Sequence, residues 1–421
     1  MRTLFYCAML LLYSAGALYA EPLTLEQALA KRGATSQTLK IAAYDEQIAY
    51  ENIRLNRSGY LPQVDIQGGY TAQQASQSVN TPIGPFAEED ADFAFVSLGI
   101  TQTIYDFGRT RSRYSRAKAT SDATRFNYKS QEQDIFLHTV TSYFLILQLQ
   151  KILQAADEEV VQMTDHLRVA QNLFEQGVVT RNDLLQAQVR LASSKQRRLE
   201  SVNRLENSWL DFDNQIGEPP EFRRELVEET KIGLTDLAKP VSEVIAGRAE
   251  IQAQRKLLEA SELEVIEARS GYYPEFFAKL GLDYVQNTKV SEQAIMAATV
   301  GFKINLFDGL ATTSRFRQAV QNRARTDERL NQLETDLALE YRTALNDAKV
   351  AKERISVTET SIKQGEENLR INRDRYQEQV GTATDVIDAQ TLLTQIKNDY
   401  YQAIFDYEVA MARVKRARGE L

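Results

Sequence analysis

Between Gly108 and Gly177 the chain runs for 68 residues with neither proline nor glycine. As one helix that stretch would measure roughly 100 Å, at 1.5 Å per residue. A compact globule has no room for such a rod, so the molecule must be elongated. Proline placement agrees: none of the eight prolines follows Pro274.

The N-terminus sets the compartment. Arg2 precedes an apolar run from Leu4 to Tyr13 and the small residues Ser14 to Ala17. That order reads as a secretory signal peptide over residues 1–20, cleaved after Ala17 or Ala20. Cys7, the only cysteine, falls inside it. The mature chain therefore has no disulfide or thiol chemistry, and no acyl anchor is expected. No later segment approaches ~20 consecutive apolar residues, so no transmembrane helix is expected. A net charge of -8 gives no reason to expect nucleic acid.

The chain repeats itself. Arg57 to Pro62 recurs as Arg269 to Pro274, and Ile104 to Asp106 recurs as Leu306 to Asp308. Thr180 to Gln188 recurs as Thr382 to Gln390. Three matches in one order at nearly one offset divide the mature chain into two halves. The first spans 21–217, with a helix, a β-hairpin at 63–104 and a long helical hairpin at 109–216. The second spans 243–421, with a helix, a β-hairpin at 275–306 and a helical hairpin at 310–418. Residues 218–242 form a charged linker, expected to cross the outside of the helical body.

The strands alternate. Val64, Ile66 and Tyr70 share one face, as do Ala94, Val96, Leu98 and Ile100. In the second half Leu280, Leu282 and Tyr284 do the same, as do Val300, Phe302, Ile304 and Leu306. Strands of about ten residues with one apolar face suit an outer-membrane barrel, with lipid outside and water inside. A soluble sheet with one wet face fits the strands equally well. The signal peptide and the long helices favour the membrane. Tyr60, Tyr105, Phe107, Tyr272, Tyr273 and Phe307 could then form an interfacial girdle.

The helices after the strands carry coiled-coil spacing. Val386, Ala389, Leu393, Ile396, Tyr400, Ala403, Tyr407, Ala410 and Val414 alternate steps of three and four. Four strands cannot close a barrel, and lipid tolerates no open sheet edge. Several copies must share one barrel; two, three or four would serve.

These residues resemble the TolC-like family of outer-membrane efflux proteins. The resemblance rests on the opening Leu23 to Leu29, the Gly-Tyr-x-Pro segments ending at Pro62 and Pro274, and the aspartate motifs at Asp106 and Asp308. It rests too on the turn segments ending in Ala187-Gln188 and Ala389-Gln390. It implies a mainly α fold with a β membrane part. It also implies a homotrimer, with a 12-stranded β-barrel continued by a 12-helix periplasmic α-barrel. The implied partners are a periplasmic adaptor, an inner-membrane transporter and outer-membrane lipid.

The candidate site residues lie at the turns. Thr180 with Asp183, and Thr382 with Asp385, read as capping boxes. Asp388 lies one turn beyond Asp385 on the same face, where the first half has Gln186. The resemblance puts Asp385 and Asp388 at a constricted periplasmic aperture and links Tyr376 to its closed state. Where the family carries a basic residue, this chain has Gly381-Thr382-Ala383. Pro62 and Pro274 should turn the chain from helix into strand. His138 and His166, the only histidines, show no ligand pattern. No catalytic, cofactor or metal site is expected. The expected function is a passive outer-membrane exit duct for a tripartite efflux or type I secretion system. The alternatives are a periplasmic structural or adaptor-like coiled-coil protein and an outer-membrane barrel enzyme.

Overall fold

The computed structural model describes residues 22–87, 90–228, 239–289 and 291–421. The signal peptide assigned to 1–20 and the middle of the linker, 229–238, lie outside the described residues.

The first half begins with α1 (Leu25–Thr35), α2 (Gln37–Arg57) and β1 (Gln63–Ala72). It continues through β2 (Ser78–Thr81), β3 (Gly84–Ala87), β4 (Asp92–Tyr105), α3 (Arg109–Glu175) and α4 (Arg181–Ile216). The second half contains α5 (Val241–Gly247), α6 (Ala249–Ser270), β5 (Glu275–Val285), β6 (Ala294–Lys303), α7 (Ala311–Gln377) and α8 (Ala383–Ala417). The two long helices, α3 and α7, have 67 residues each. No described helix is long and apolar enough to cross a membrane.

Three details differ from the sequence reading. Each half opens with two helices rather than one. Ser36 ends α1 and its hydroxyl accepts from the Leu39 amide at 3.3 Å, starting α2 afresh. In the second half Arg248, in extended conformation, separates α5 from α6. The longer loop of the first half folds into the small hairpin β2–β3. And β6 stops at Lys303 instead of reaching Leu306. Its partner strand begins at Glu275, opposite Lys303, and the preceding Pro274 has no N–H with which to extend the ladder.

The transition from strand to long helix is built the same way twice. Asp106 accepts from the amide and hydroxyl of Thr110, at 2.8 and 2.5 Å. Asp308 does the same for Thr312, at 3.0 and 2.7 Å. Two successive left-handed residues make each corner: Phe107 and Gly108 in one half, Gly309 and Leu310 in the other. The aspartates thereby satisfy early helix donors that would otherwise be orphaned.

The main core lies where α1, α3, α4, α7 and α8 meet. Tyr143, Phe144, Phe212, Ile216, Tyr341, Phe405 and Val414 are buried there, each worth about 1.5–3 kcal/mol of transfer free energy. The coiled-coil seam is buried or half-buried along its length: Ala410 and Val414 belong to this core, and Val386, Ala389 and Leu393 to a second cluster near the far turns. The Tyr143 hydroxyl donates to the Val227 carbonyl at 2.8 Å and lies 3.0 Å from that of Leu23. Tyr341 accepts from the Lys239 amide at 3.1 Å. The linker's first part does not simply cross the outside. Leu226 pairs with Leu23 as a parallel bridge, and both side chains are buried in the core.

All four long strands form one antiparallel sheet in the order β1-β4-β5-β6. The central pairing, β4 with β5, joins the two halves. Each strand runs into the helix it borders, so α2, α3, α6 and α7 form a slab beneath the sheet.

Candidate functional site

Two regions concentrate the functional geometry: the sheet, and the helical turns at the opposite end. The register places Ile66, Leu98, Leu282 and Met296 in one row across all four strands. Val64, Ile100, Leu280 and Ala298 form a parallel row on the same face. That apolar face is bare: Ile66, Met296 and Val300 are 75%, 74% and 78% exposed. The other face is polar, with Gln67, Ser97 and Asp283 in one row and Thr101, Lys279 and Thr299 in another. Among the described residues β1 pairs only with β4, and β6 only with β5. Two long edges therefore carry unsatisfied backbone donors and acceptors. Pro62 and Pro274 each stand immediately before a strand, β1 and β5. Phe107 stacks on Tyr273 at 4.8 Å and meets Tyr105 edge-on, at the base of the sheet.

At the far end each long helix reverses into its partner through a tight turn. Thr180 and Thr382 both close full capping boxes. Asp183 accepts from the Thr180 amide at 2.9 Å, and Asp385 from the Thr382 amide at 3.0 Å. Those bonds, aided by Arg375, hold the Asp385 carboxyl below its usual range. Positive charge at this turn thus comes from the last turn of α7 rather than from the segment at Gly381. Asp388 is exposed on the face that Asp385 begins. The two turns touch where the Thr384 hydroxyl reaches Gln186 at 3.5 Å.

Tyr376 does not reach solvent. It is buried among Leu369, Ala383, Val386, Ala389 and Leu393, and its ring lies 5.5 Å from that of His166 on α3. Burial, and then the charge of Asp183, raise its phenol above the ordinary value. A cavity of about 250 Å³ opens beside the pair, between α3, α7 and α8. Four polar atoms at this site are buried without a protein partner: Gln162 Oε1, His166 Nε2, Tyr376 OH and Gln390 Oε1. Burial, followed by Arg373, depresses the His166 pKa below 6.5. Sequence reasoning weighed His166 only as a metal ligand. Its spacing on α3 carries no signal of Tyr376, which arrives from the other half.

The turns also differ in one residue of consequence. Gly177 takes the left-handed position after α3, with φ 77°, and Gln379 takes the same position after α7, with φ 59°. Both end a helix through the same closing bond, Val178 to Leu173 and Val380 to Arg375, each 2.9 Å.

A sheet bare on its apolar face, set on paired helices about 100 Å long with capped turns at the far end, defines a class. It is that of outer-membrane ducts that extend into the periplasm and catalyse nothing. The chain belongs to the outer membrane efflux protein family, whose model matches residues 25–218 and 241–420. It is 23% identical over 414 residues to outer membrane protein TolC of Escherichia coli K12, covering 91% of this chain and 79% of that protein. It is 21% identical over 395 residues to the alkaline protease secretion protein AprF of Pseudomonas aeruginosa, covering 90% of this chain and 81% of that protein. The outer membrane protein VceC of Vibrio cholerae has the same fold, with a TM-score of 0.84 at 17% identity over 94% of this chain and 96% of that one.

Proposed function

We propose that three copies of this chain close into a twelve-stranded β-barrel, continued by a twelve-helix tunnel. This trimer serves as the passive exit duct of a tripartite efflux or type I secretion system. The observation that carries the reading is the open sheet: one bare apolar face and two unpaired edges. In lipid each unpaired backbone group costs several kcal/mol, and four strands cannot satisfy their own edges. A second copy's β6 laid against β1 extends the ladder, and a ring of copies removes every edge. TolC-like relatives work with a periplasmic adaptor and an inner-membrane transporter. The same partners are assigned here, the transporter supplying energy and choosing cargo. The relative named for alkaline protease secretion supports an export role of this kind.

In the trimer Asp385 and Asp388 form two stacked acidic rings at the periplasmic aperture. Neighbouring carboxylates at ~6 Å repel by roughly 0.7 kcal/mol in water and about 3 at an effective dielectric of 20. The rings attract cations but do not hold the aperture shut. Closure comes from helix packing around Tyr376.

The test is mass and conduction together. Light scattering in detergent should give three times the chain mass, and planar bilayers should show discrete channels. A stable, non-conducting monomer would overturn the reading.

A further inference from the structure

Just below the sheet, one face of the helical slab is rich in arginine. Arg109, Arg113 and Arg116 follow one another along a single face of α3 at helical spacing. Arg315, Arg325 and Arg329 lie along the facing stripe of α7. Two adjoining cavities, of about 510 and 390 Å³, open along this face and share Arg113, Arg116 and Glu264.

The carboxylates there are too few to neutralise it. Among the described residues Glu264 and Glu267 are the only acidic residues lining the two cavities, with Glu275 paired to Arg109 and Asp308 near Arg315 at the upper edge. Glu267 takes Arg113 at 2.7 Å and Arg116 at 3.2 Å, and Glu264 accepts from Asn322 at 2.9 Å. Among the described residues Arg325 donates only to the Asn322 amide oxygen. Arg329 makes no hydrogen bond or ion pair among the described residues. Arg315, Arg325 and Arg329 are all exposed. A patch needed only for stability would pair these cations or leave them scattered on a convex surface. Here they converge on a concave one.

The side they face follows from Arg109. It pairs with Glu275 at 3.0 Å, and the Thr103 hydroxyl donates to the same carboxylate. Glu275 lies on the polar face of β5 with Lys279 and Asp283, opposite Leu280 and Leu282. In the duct proposed above, on which this inference rests, that polar face lines the lumen. The arginines continue the same inner wall downward.

We propose that these arginines form a cationic collar inside the duct, just beneath the membrane, which binds phosphate or carboxylate groups of polyanionic solutes in transit. Guanidinium forks grip such groups in bidentate pairs. Three copies around one lumen add their fields, and low-dielectric walls focus them. The collar has the opposite sign to the aspartates at the aperture, so the duct is polarised along its length.

The probe is inorganic tripolyphosphate, titrated calorimetrically into the full-length trimer in phosphatidylcholine nanodiscs. Wild type should bind it, with affinity falling as salt rises. Arg325→Gln with Arg329→Gln should weaken binding about tenfold or more, the loss of charge-assisted pairs. Arg370→Gln, at the far end of α7, should leave binding unchanged. Equal losses in both variants would mean general charge attraction and overturn the site. Nanodiscs one third phosphatidylglycerol separate lumen from lipid: unchanged affinity supports the collar, while competition turns these arginines toward headgroups and overturns it. A wild-type trimer that conducts but does not bind sinks the collar alone. A preparation that neither trimerises nor conducts sinks the duct and the collar with it.

Discussion

The imidazole of His166 and the phenol of Tyr376 lie 5.5 Å apart, centroid to centroid, with their planes tilted by 44°. The contact joins the lower turns of α3 and α7, one from each half, and both side chains are buried. It sits beside the turn whose packing, in the proposed duct, closes the aperture.

The first prediction follows from that contact. The fold lowers the His166 pKa, chiefly by burial and then by Arg373. Gln162, Asp165 and Arg168 on α3, Tyr376 and Gln377 on α7 and Gln390 on α8 line the same cavity, and the charge of Asp183 on α4 acts on Tyr376. Its folded pKa is depressed, so the unpacked state binds the proton more readily. Packing stability is full above 6.5 and is lost as pH falls from there through the lowered folded value. Measured against the intrinsic exchange rate at each pH, amide protection over 165–176 and 376–390 should therefore be lower at pH 5 than at pH 7.5. His166→Gln should flatten that difference. An unchanged pH response in the variant would remove His166 from the tip's behaviour.

The second concerns the aspartates. Asp385→Asn with Asp388→Asn should weaken cation selectivity and block by multivalent cations while leaving the trimer intact. Tyr376→Ala, which removes the ring packed among Leu369, Val386 and Leu393, should keep that block but raise conductance through looser closure. Single-channel recordings decide the matter: unchanged block in the double variant leaves Asp385 a helix cap, as its bond to the Thr382 amide already makes it.

The third is a stabilising substitution. Gln379 occupies a left-handed position that Gly177 fills in the other half. A side chain there costs about 1 kcal/mol. Gln379→Gly should raise resistance of the lower hairpin to denaturant by about that amount, and Gly177→Gln should lower it. Opposite signs in unfolding curves would contradict the equivalence of the two turns.

The fourth tests a buried charge. Arg248 is fully buried between α5 and α6. It pairs with Glu250 at 2.7 Å and Glu340 at 3.3 Å, and donates to the Ala417 carbonyl at 2.8 Å. Arg416 shares both carboxylates, at 2.8 and 3.1 Å. Burial raises the Glu340 pKa, and Arg248 opposes that rise. Arg248→Ala should cost about 3–5 kcal/mol by stranding carboxylates. A loss below ~1 kcal/mol in chemical denaturation would show that Arg416 alone can hold them.

Much of the architecture was legible because it is written in local periods. Steps of three and four along Val386 to Val414 predict the α8 seam. Alternation from Val64 to Tyr70 separates the two faces of β1. Thr180 and Thr382 announce their caps within four residues. Duplication of Pro62 at Pro274 and of Asp106 at Asp308 marks where strands begin and where helices take over. Apart from the duplication, each of these signals depends only on neighbours close in sequence.

What the chain's order alone could not decide was contact between distant elements. The pairing of β4 with β5, which unites the halves in one sheet, links strands far apart in sequence and has no local signature. The burial of Arg248 requires Glu340 from α7 and a carbonyl from the end of α8. His166 is shielded, and its pKa lowered, only when Tyr376, Arg373 and Gln390 close over it. The arginines of α3 and α7 become one concave surface only when α6 packs between the two long helices. Periodicity says which face of a helix is apolar. The neighbour a charged side chain meets is set by how whole helices pack, and tertiary structure alone carries that information.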